Sequence, residues 1–434
     1  LDEGAVSAMR RLYTALLYLL LPLVVLRILW RSLSAPDYRR RLAERFGYLP
    51  PLRAKGGLWV HAVSVGEVQA SAPLIRRLQR SYPGLPILVT TTTPTGSRRL
   101  RELLGEDVAH VYAPYDVPLV VGRFLDASAP RLALFVETEI WPNILHQCRR
   151  RGIPTVLANA RLSERSARGY GRLGRFSTET FGNLSLVAAQ STTDRDRFLA
   201  LGVSPQRLVV TGSIKFDVRL SPSLQEQSAV IKRTWGVDRP VWIAASTHEG
   251  EDEQVLAAHR VVLEQVEDAL LVLVPRHPER FARVGAMVAR EGFRQVRRSE
   301  GRTCTPDTQV FLGDSMGELP MFIAAGDVAF VGGSLVPHGG HNLLEPAASG
   351  VPAVTGPHVF NFAQITDMLV AAGGAVKVTD ADALGSTVSR WLQDASLRAR
   401  IGENGRRVVA QNRGALDRLV SLVAALLGEP GDVS

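Results

Sequence analysis

What most constrains this chain is a repeated alternation of short apolar runs and helix-length amphipathic stretches. Runs suited to strands lie at Gly57–Val65, Ile87–Thr91, Ala109–Tyr112, Leu132–Val136, Thr155–Ala158, Leu186–Ala189 and Leu208–Thr211. The pattern lapses over Asp217–Gln227, a Ser- and Pro-containing stretch with little apolar content. It restarts at Val241–Ala245, Leu270–Val274, Gln309–Leu312, Val328–Val331, Val351–Thr355 and Ala375–Val378. Strands separated by helices imply parallel sheets covered on both faces, so the fold class is α/β. Two such domains in series predict ligands at the carboxyl ends of their strands, in a cleft where the domains face each other. The length of 434 residues suits about two or three domains. The predicted boundaries are 1–34 for a hydrophobic anchor, 35–217 for the first domain, 218–235 for a linker and 236–412 for the second domain. Residues 413–434 form a final helix placed to cross back to the first.

Leu12–Trp30 is almost wholly apolar, with Arg10 and Arg11 before it and Arg27 and Arg31 at its far end. Its uncharged centre, Thr14–Leu26, is short for a span of roughly 20 residues. The far-end arginines do not suit an export signal. A retained anchor is predicted, either a tilted span or a helix lying in the interface, with basic flanks against anionic lipid. The net charge of +9 asks for an anionic partner. No Lys-rich block with interleaved aromatics appears, so no nucleic acid is expected. The two cysteines, Cys148 and Cys304, have neither disulfide-framework nor zinc-site spacing.

Four segments carry chemistry. In His61–Ser71 a strand ends, the chain is expected to turn at Gly66, and a helix opens with Glu67, where a carboxylate can serve as a general base or merely favour the helix terminus. Phe135–Asn143 repeats the theme with Glu137 and Glu139, expected to face one way if the chain stays extended, and with Pro142 starting a helix. Lys215 is the natural cation for such a pair. In the second domain Ser246, Thr247, Arg276 and His277 close successive strands, and Ser315 with Glu318 reads as a capping box that leaves the Met316 and Gly317 N–H groups free. Phe330–Pro357 runs strand, glycine pairs, Asn342 as N-cap, Glu345 three residues on, then strand. That is how an α/β domain offers bare backbone N–H groups to an anion. These parts describe a diphosphate or nucleoside-monophosphate pocket.

Other patterns carry less. Gly169–Gly174 matches GxGxxG but follows no strand, and Asp194–Asp196 reads as the polar side of a helix. His338 and His341 lack a third ligand, so no metal is predicted. Arg161, Arg165, Arg168, Arg172 and Arg175 recur at helical spacing, either a solvated face or a rail for phosphorylated acceptor or lipid headgroups.

HAVSVGE, TTTPTG, ETEIWPN, NARLSERS, GSIKFD, STHEGE, VPRHPERF, GDSMGEL and FVGGSLVPHGGHNLLEPA together resemble the bacterial 3-deoxy-D-manno-octulosonic acid (Kdo) transferases of lipopolysaccharide assembly. The resemblance implies a GT-B fold of two Rossmann-like domains and an inverting, metal-independent glycosyltransferase without a cofactor. CMP-Kdo would be the donor, and a phosphorylated lipid A precursor at the cytoplasmic face of the inner membrane the acceptor. On the family's pattern Glu67 is the general base, and Glu137 and Lys215 stabilise the transition state. Pro275, Arg276, Met316, Gly317, Glu318, Asn342, Leu343, Leu344 and Glu345 match its CMP-binding segments. A nucleotide-sugar epimerase of the same fold and a membrane-associated nucleotide-sugar binding protein are the alternatives.

Overall fold

The computed structural model describes residues 3–52, 55–218, 220 and 222–428. The expected ends of the anchor and of the final segment, and residues 219 and 221 of the expected linker, lie outside the described residues. The chain divides into two compact units, Leu1–Asp217 with Arg413–Ser434, and Val218–Asn412.

The first unit holds seven strands: β1 (Leu58–His61), β2 (Ile87–Thr91), β3 (Ala109–Tyr112), β4 (Leu132–Val136), β5 (Thr155–Ala160), β6 (Leu186–Ala189) and β7 (Leu208–Val210). They form one sheet in the order β3-β2-β1-β4-β5-β6-β7, with parallel pairing such as Leu58 opposite Ile87. The strands are apolar on both faces because both are covered. Leu58 and Val60 join one core with the helix Val65–Ser81 and the final helix, while Trp59 between them joins the other. This is the two-residue period of an extended chain.

The second unit repeats the plan with β8 (Val241–Thr247), β9 (Leu270–Pro275), β10 (Gln295–Arg297), β11 (Val310–Leu312), β12 (Val328–Val331), β13 (Ala353–Thr355) and β14 (Ala375–Lys377). Their order is β10-β11-β9-β8-β12-β13-β14. Trp242 and Ala244 pack on one side, Val241 and Ile243 on the other. The edge strand β10 was not expected from sequence. Two of its three residues are polar and it pairs with β11 alone, so it has no apolar run to betray it.

Residues 222–235, expected as linker, instead form the helix Pro222–Trp235. Ile231 and Trp235 are buried in the second unit's core, with Trp235 edge-on to Phe311 at 5.5 Å between ring centroids. Two anchor residues one helical turn apart suffice to dock a short helix, although its composition is mostly polar. The final helix Ala415–Leu427 belongs to the first unit: Ala415, Leu416, Leu419 and Val423 enter the core beneath β1. Its N-terminus is held by Asp217, whose carboxylate accepts from the Gly414 and Leu416 N–H groups at 2.7 Å each.

The N-terminal helix Glu3–Ser34 contains Ala8–Leu33, long and apolar enough by length and composition to cross a membrane, with a mean hydropathy of 2.2. Its first turns are fastened to the first unit. Tyr13 donates to the buried Asp116 (2.9 Å) and Thr14 to Asn143 (3.2 Å). Burial pushes Asp116 up to about 7, although Asn143 and Ile144 N–H groups and Tyr13 all donate to it.

Candidate functional site

The first unit gathers its charges past the carboxyl ends of β1, β4 and β7. After β1 the chain reaches Ser64, the N-cap of the helix Val65–Ser81; Gly66 is already inside the helix, so the expected turn at Gly66 falls earlier, at Val63–Ser64. The Ser64 hydroxyl accepts from the Glu67 N–H (3.2 Å) and donates to one Glu67 carboxylate oxygen (2.8 Å), while the Val63 N–H donates to the other (2.8 Å). Glu67 is thus locked in a capping arrangement, and only 9% of it is exposed. Desolvation lifts its pKa to about 7, helped by Glu139 and Glu137 and opposed by Ser64 and Val63. Capping and basicity therefore pull in opposite directions: the cap donors favour the charged carboxylate, and burial outweighs them.

Glu137 follows β4 with a left-handed backbone (φ 63°). The chain is therefore not extended across Glu137 and Glu139, and the expectation that both face the same way for that reason fails. The turn directs Glu137 to Lys215, 2.8 Å away, whereas Glu139 accepts from the Trp141 indole at 2.7 Å. Pro142 does open a helix, Pro142–Arg150. Lys215 sits in a single helical turn, Ile214–Phe216, whose first N–H is held by the Asn159 side chain (3.1 Å). Asn159 also has a left-handed backbone (φ 53°). Two non-glycine residues in this region, at about 1–3 kcal/mol each, mark a site whose geometry outweighs local comfort.

In the second unit the glycine loop is already filled. The fully buried Glu251 accepts from the N–H groups of Gly333 (2.7 Å), Ser334 (3.0 Å), Leu335 (3.0 Å) and His248 (3.1 Å). A Cβ on Gly332 would come within 2.7 Å of that carboxylate, so the glycine is a matter of space. The expectation that this loop offers bare N–H groups to a ligand is corrected for Gly333–Leu335, where a protein carboxylate occupies the nest. Thr247 is likewise spent, its buried hydroxyl donating to Asp252 (2.6 Å), which Arg280 also holds.

The remaining donor-site candidates lie past β9, β11 and β12. Pro275 ends β9, and the Arg276 N–H donates to Thr247 O (3.0 Å). The charge of Arg276 acts on Glu345, opposing the desolvation that raises that carboxyl. Met316 is exposed and Gly317 left-handed (φ 84°). Glu318 forms a two-point ion pair with Arg298 (2.8 and 3.0 Å), which together with the Ser315 hydroxyl holds it below the usual carboxylate range. Ser315 is not an N-cap, because the helix starts only at Leu319. Asn342 accepts from the Leu344 N–H (3.1 Å), but the N-cap position is Leu343 and the helix Leu344–Ser349 is a short one. Leu343 and Leu344 are buried, so only their backbone can meet a ligand.

Comparison with known proteins joins these parts. Residues 40–218 match the family model for 3-deoxy-D-manno-octulosonic-acid transferase, and residues 238–408 that for glycosyl transferases group 1. A relative from Haemophilus influenzae named 3-deoxy-D-manno-octulosonic acid transferase is 46% identical, covering 96% of this chain and 99% of its own. One of the same name from Bordetella pertussis is 37% identical, covering 96% and 100%. The chain belongs to the Kdo transferase family. Among solved structures, a UDP-GlcNAc 2-epimerase from Neisseria meningitidis matches with a TM-score of 0.56 at 13% identity, covering 85% of this chain and 99% of that one. A glycosyltransferase from Rickettsia africae matches at 0.53 and 16%, covering 87% and 99%. At that identity they establish the fold, two parallel-sheet units of GT-B type. The chain is a glycosyltransferase enzyme acting as a Kdo transferase, and the epimerase and binding-protein alternatives give way to it.

Within this Kdo transferase the sequence missed three features. Asn159 was part of a family motif without a role; its left-handed backbone and span to Ile214 are not visible in residue order. Glu251 stands in the motif STHEGE, and its usable signal is a carboxylate following a strand end. His248, His277, His338 and His341 cluster: His248 bonds His341 at 2.8 Å between ring nitrogens and stacks on His338 at 4.3 Å. Burial, with neighbouring positive groups, pushes His248 down to about 4 and His341 to about 3. The arginine row is broken, because Arg161 precedes the helix Glu164–Arg172 and Arg175 begins the next one. Among the described residues no three His, Cys, Asp or Glu side chains are arranged to hold a metal ion.

Proposed function

We propose that this chain transfers Kdo from CMP-Kdo to a hydroxyl of a phosphorylated lipid A precursor with inversion at the anomeric carbon, without a metal. Glu67 takes the proton of the acceptor hydroxyl as the new glycosidic bond forms. The bond between the anomeric carbon and the CMP phosphate breaks, and CMP leaves with the electron pair. The Glu137–Lys215 pair stands beside the base as a fixed dipole for the developing oxocarbenium charge. Arg276, the Met316–Glu318 loop and Asn342–Glu345 bind CMP in the second unit. A leaving phosphate that departs unprotonated can be received by Arg276 and backbone N–H groups.

The observation that carries this reading is Glu67: a carboxylate at a strand's carboxyl end, held by Ser64 and Val63, with its pKa lifted to about 7. A base at that value is half ionised at neutral pH and still basic enough to accept a proton.

The apolar helix keeps the enzyme at the cytoplasmic face of the inner membrane, where a lipid acceptor resides. We place it in the interface; this is supported by Tyr13 and Thr14 near its start bonding the first unit and by Asp37, just after its end, pairing with Arg98 of the same unit. A helix crossing the bilayer would carry one of those ends about 30 Å away over some 20 residues.

The test is incubation of purified protein with CMP-Kdo and the lipid A precursor, with lipid products weighed by mass spectrometry. Wild type should add Kdo and release CMP only when acceptor is present. Glu67→Ala should abolish transfer while CMP-Kdo binding persists. Wild-type turnover in that variant would remove Glu67 from its role.

A further inference from the structure

A second basic feature lies in the first unit, apart from the catalytic carboxylates. Just beyond the apolar helix, Asp37, Arg40 and Arg41 line a cavity of about 180 Å³ together with Arg98 and Arg101, from the helix Pro94–Leu104, and Tyr112. Four guanidinium groups and one carboxylate line the pocket. Asp37 is shared, 2.8 Å from Arg40 and 3.6 Å from Arg98 of the helix Pro94–Leu104. Among the described residues Arg101 forms no ion pair. Arg41 is immobilised: it bonds Glu44 (2.7 Å) and the carbonyl of His110 (2.5 Å), and its own backbone is left-handed (φ 56°). A solvated basic face has no need of such a strained, fixed member. A pocket for a small dianion does.

The pocket is also in register with the base. It lies past the carboxyl ends of β2 and β3, beside β1 in the same sheet. Thr92, two residues before Pro94, donates its N–H to Val63 O (3.2 Å), and the Val63 N–H holds Glu67. On the other side, Arg45 donates to Thr92 O at 2.8 Å. Three consecutive contacts therefore tie the arginine pocket, the segment leaving the membrane helix and the catalytic carboxylate into one rigid assembly.

We propose that the Arg40–Arg98–Arg101 pocket binds a phosphate monoester on the head group of the lipid acceptor, displacing Asp37 from its two arginines, and so sets which sugar hydroxyl meets Glu67. This rests on the acceptor reading above. The same chemistry can come from the acceptor, from bulk phospholipid or from free phosphate, and the acceptor is favoured because the pocket joins the membrane-side segment to the base.

The test uses the full chain with Arg98→Gln and Arg101→Gln combined, both outside the core, assayed with CMP-Kdo and a bisphosphorylated lipid disaccharide or its two monophosphorylated analogues. The acceptor KM of the variant should rise at least tenfold with the bisphosphorylated lipid, with donor KM and kcat within twofold. On one of the two analogues wild type and variant should converge, because the contact is already missing. Arg98→Lys with Arg101→Lys should recover part of the loss. An unchanged acceptor KM overturns the proposal, as does a penalty of equal size on all three acceptors. It is also overturned if the variant loses affinity for phosphatidylglycerol vesicles while acceptor KM holds, since the phosphate is then that of bulk lipid. Wild type that transfers no Kdo to any acceptor defeats the acceptor reading itself, a separate result from an active enzyme indifferent to the substitutions.

Discussion

Two glutamates occupy matching places in the two units, and they do opposite things. Glu67 follows β1 and Glu251 follows β8, each near the start of a helix and each after a strand in the middle of its sheet. Glu67 receives one backbone N–H and one hydroxyl, and desolvation leaves it poised at about 7. Glu251 receives four backbone N–H groups, three of them from a loop more than eighty residues away, and is fully buried. The number of donors decides the outcome. A carboxylate with few donors keeps oxygen lone pairs free for a ligand, whereas one with four is committed to shaping a loop.

The largest expected effect breaks the comparison on the structural side. Glu251→Ala leaves buried N–H groups of Gly333, Ser334 and Leu335 without an acceptor, at about 1–3 kcal/mol for each that water cannot reach. A loss of about 3–5 kcal/mol in unfolding free energy is expected from denaturant titration. A variant with an unchanged unfolding midpoint and lost donor binding would make Glu251 a ligand contact instead.

Next comes Lys215→Met, which strips Glu137 of its partner 2.8 Å away. kcat should fall about a hundredfold, the scale of one lost electrostatic contact to a transition state. It should also move the acid limb of the pH profile upward, because the unpaired Glu137 then repels the Glu67 carboxylate. A fall in kcat with the profile unmoved would separate Lys215 from the base.

The smallest effect sharpens the catalytic side. As the proposed base, Glu67 must be ionised to take a proton, and its pKa is raised to about 7. kcat/KM should therefore be level above that pH and fall about tenfold per unit below it. An inflection in the ordinary carboxylate range, well below 6, would mean that Glu67 is no better desolvated than an exposed side chain.

Much of this was legible beforehand, for a local reason. Leu58 to Val60 and Trp242 to Ala244 alternate their faces over single strands, and that period is written in adjacent residues. Residues 222–235 do not read as a helix in the sequence because a helix held by Ile231 and Trp235 carries too few apolar positions to show a period. The motif residues Glu67, Glu137 and Lys215 were also visible, since each stands at a strand end or just beyond.

Residue order alone settled that the chain would build two parallel-sheet units, and it named the carboxylates and the lysine of the first. Only the folded chain decided that Glu137 turns left-handed to meet Lys215, that Asn159 seats the lysine's turn, and that Glu251 fills the glycine loop. Strand and helix periods arise between near neighbours. Pairing across dozens of residues is set by sheet order and backbone turns, which no local pattern encodes.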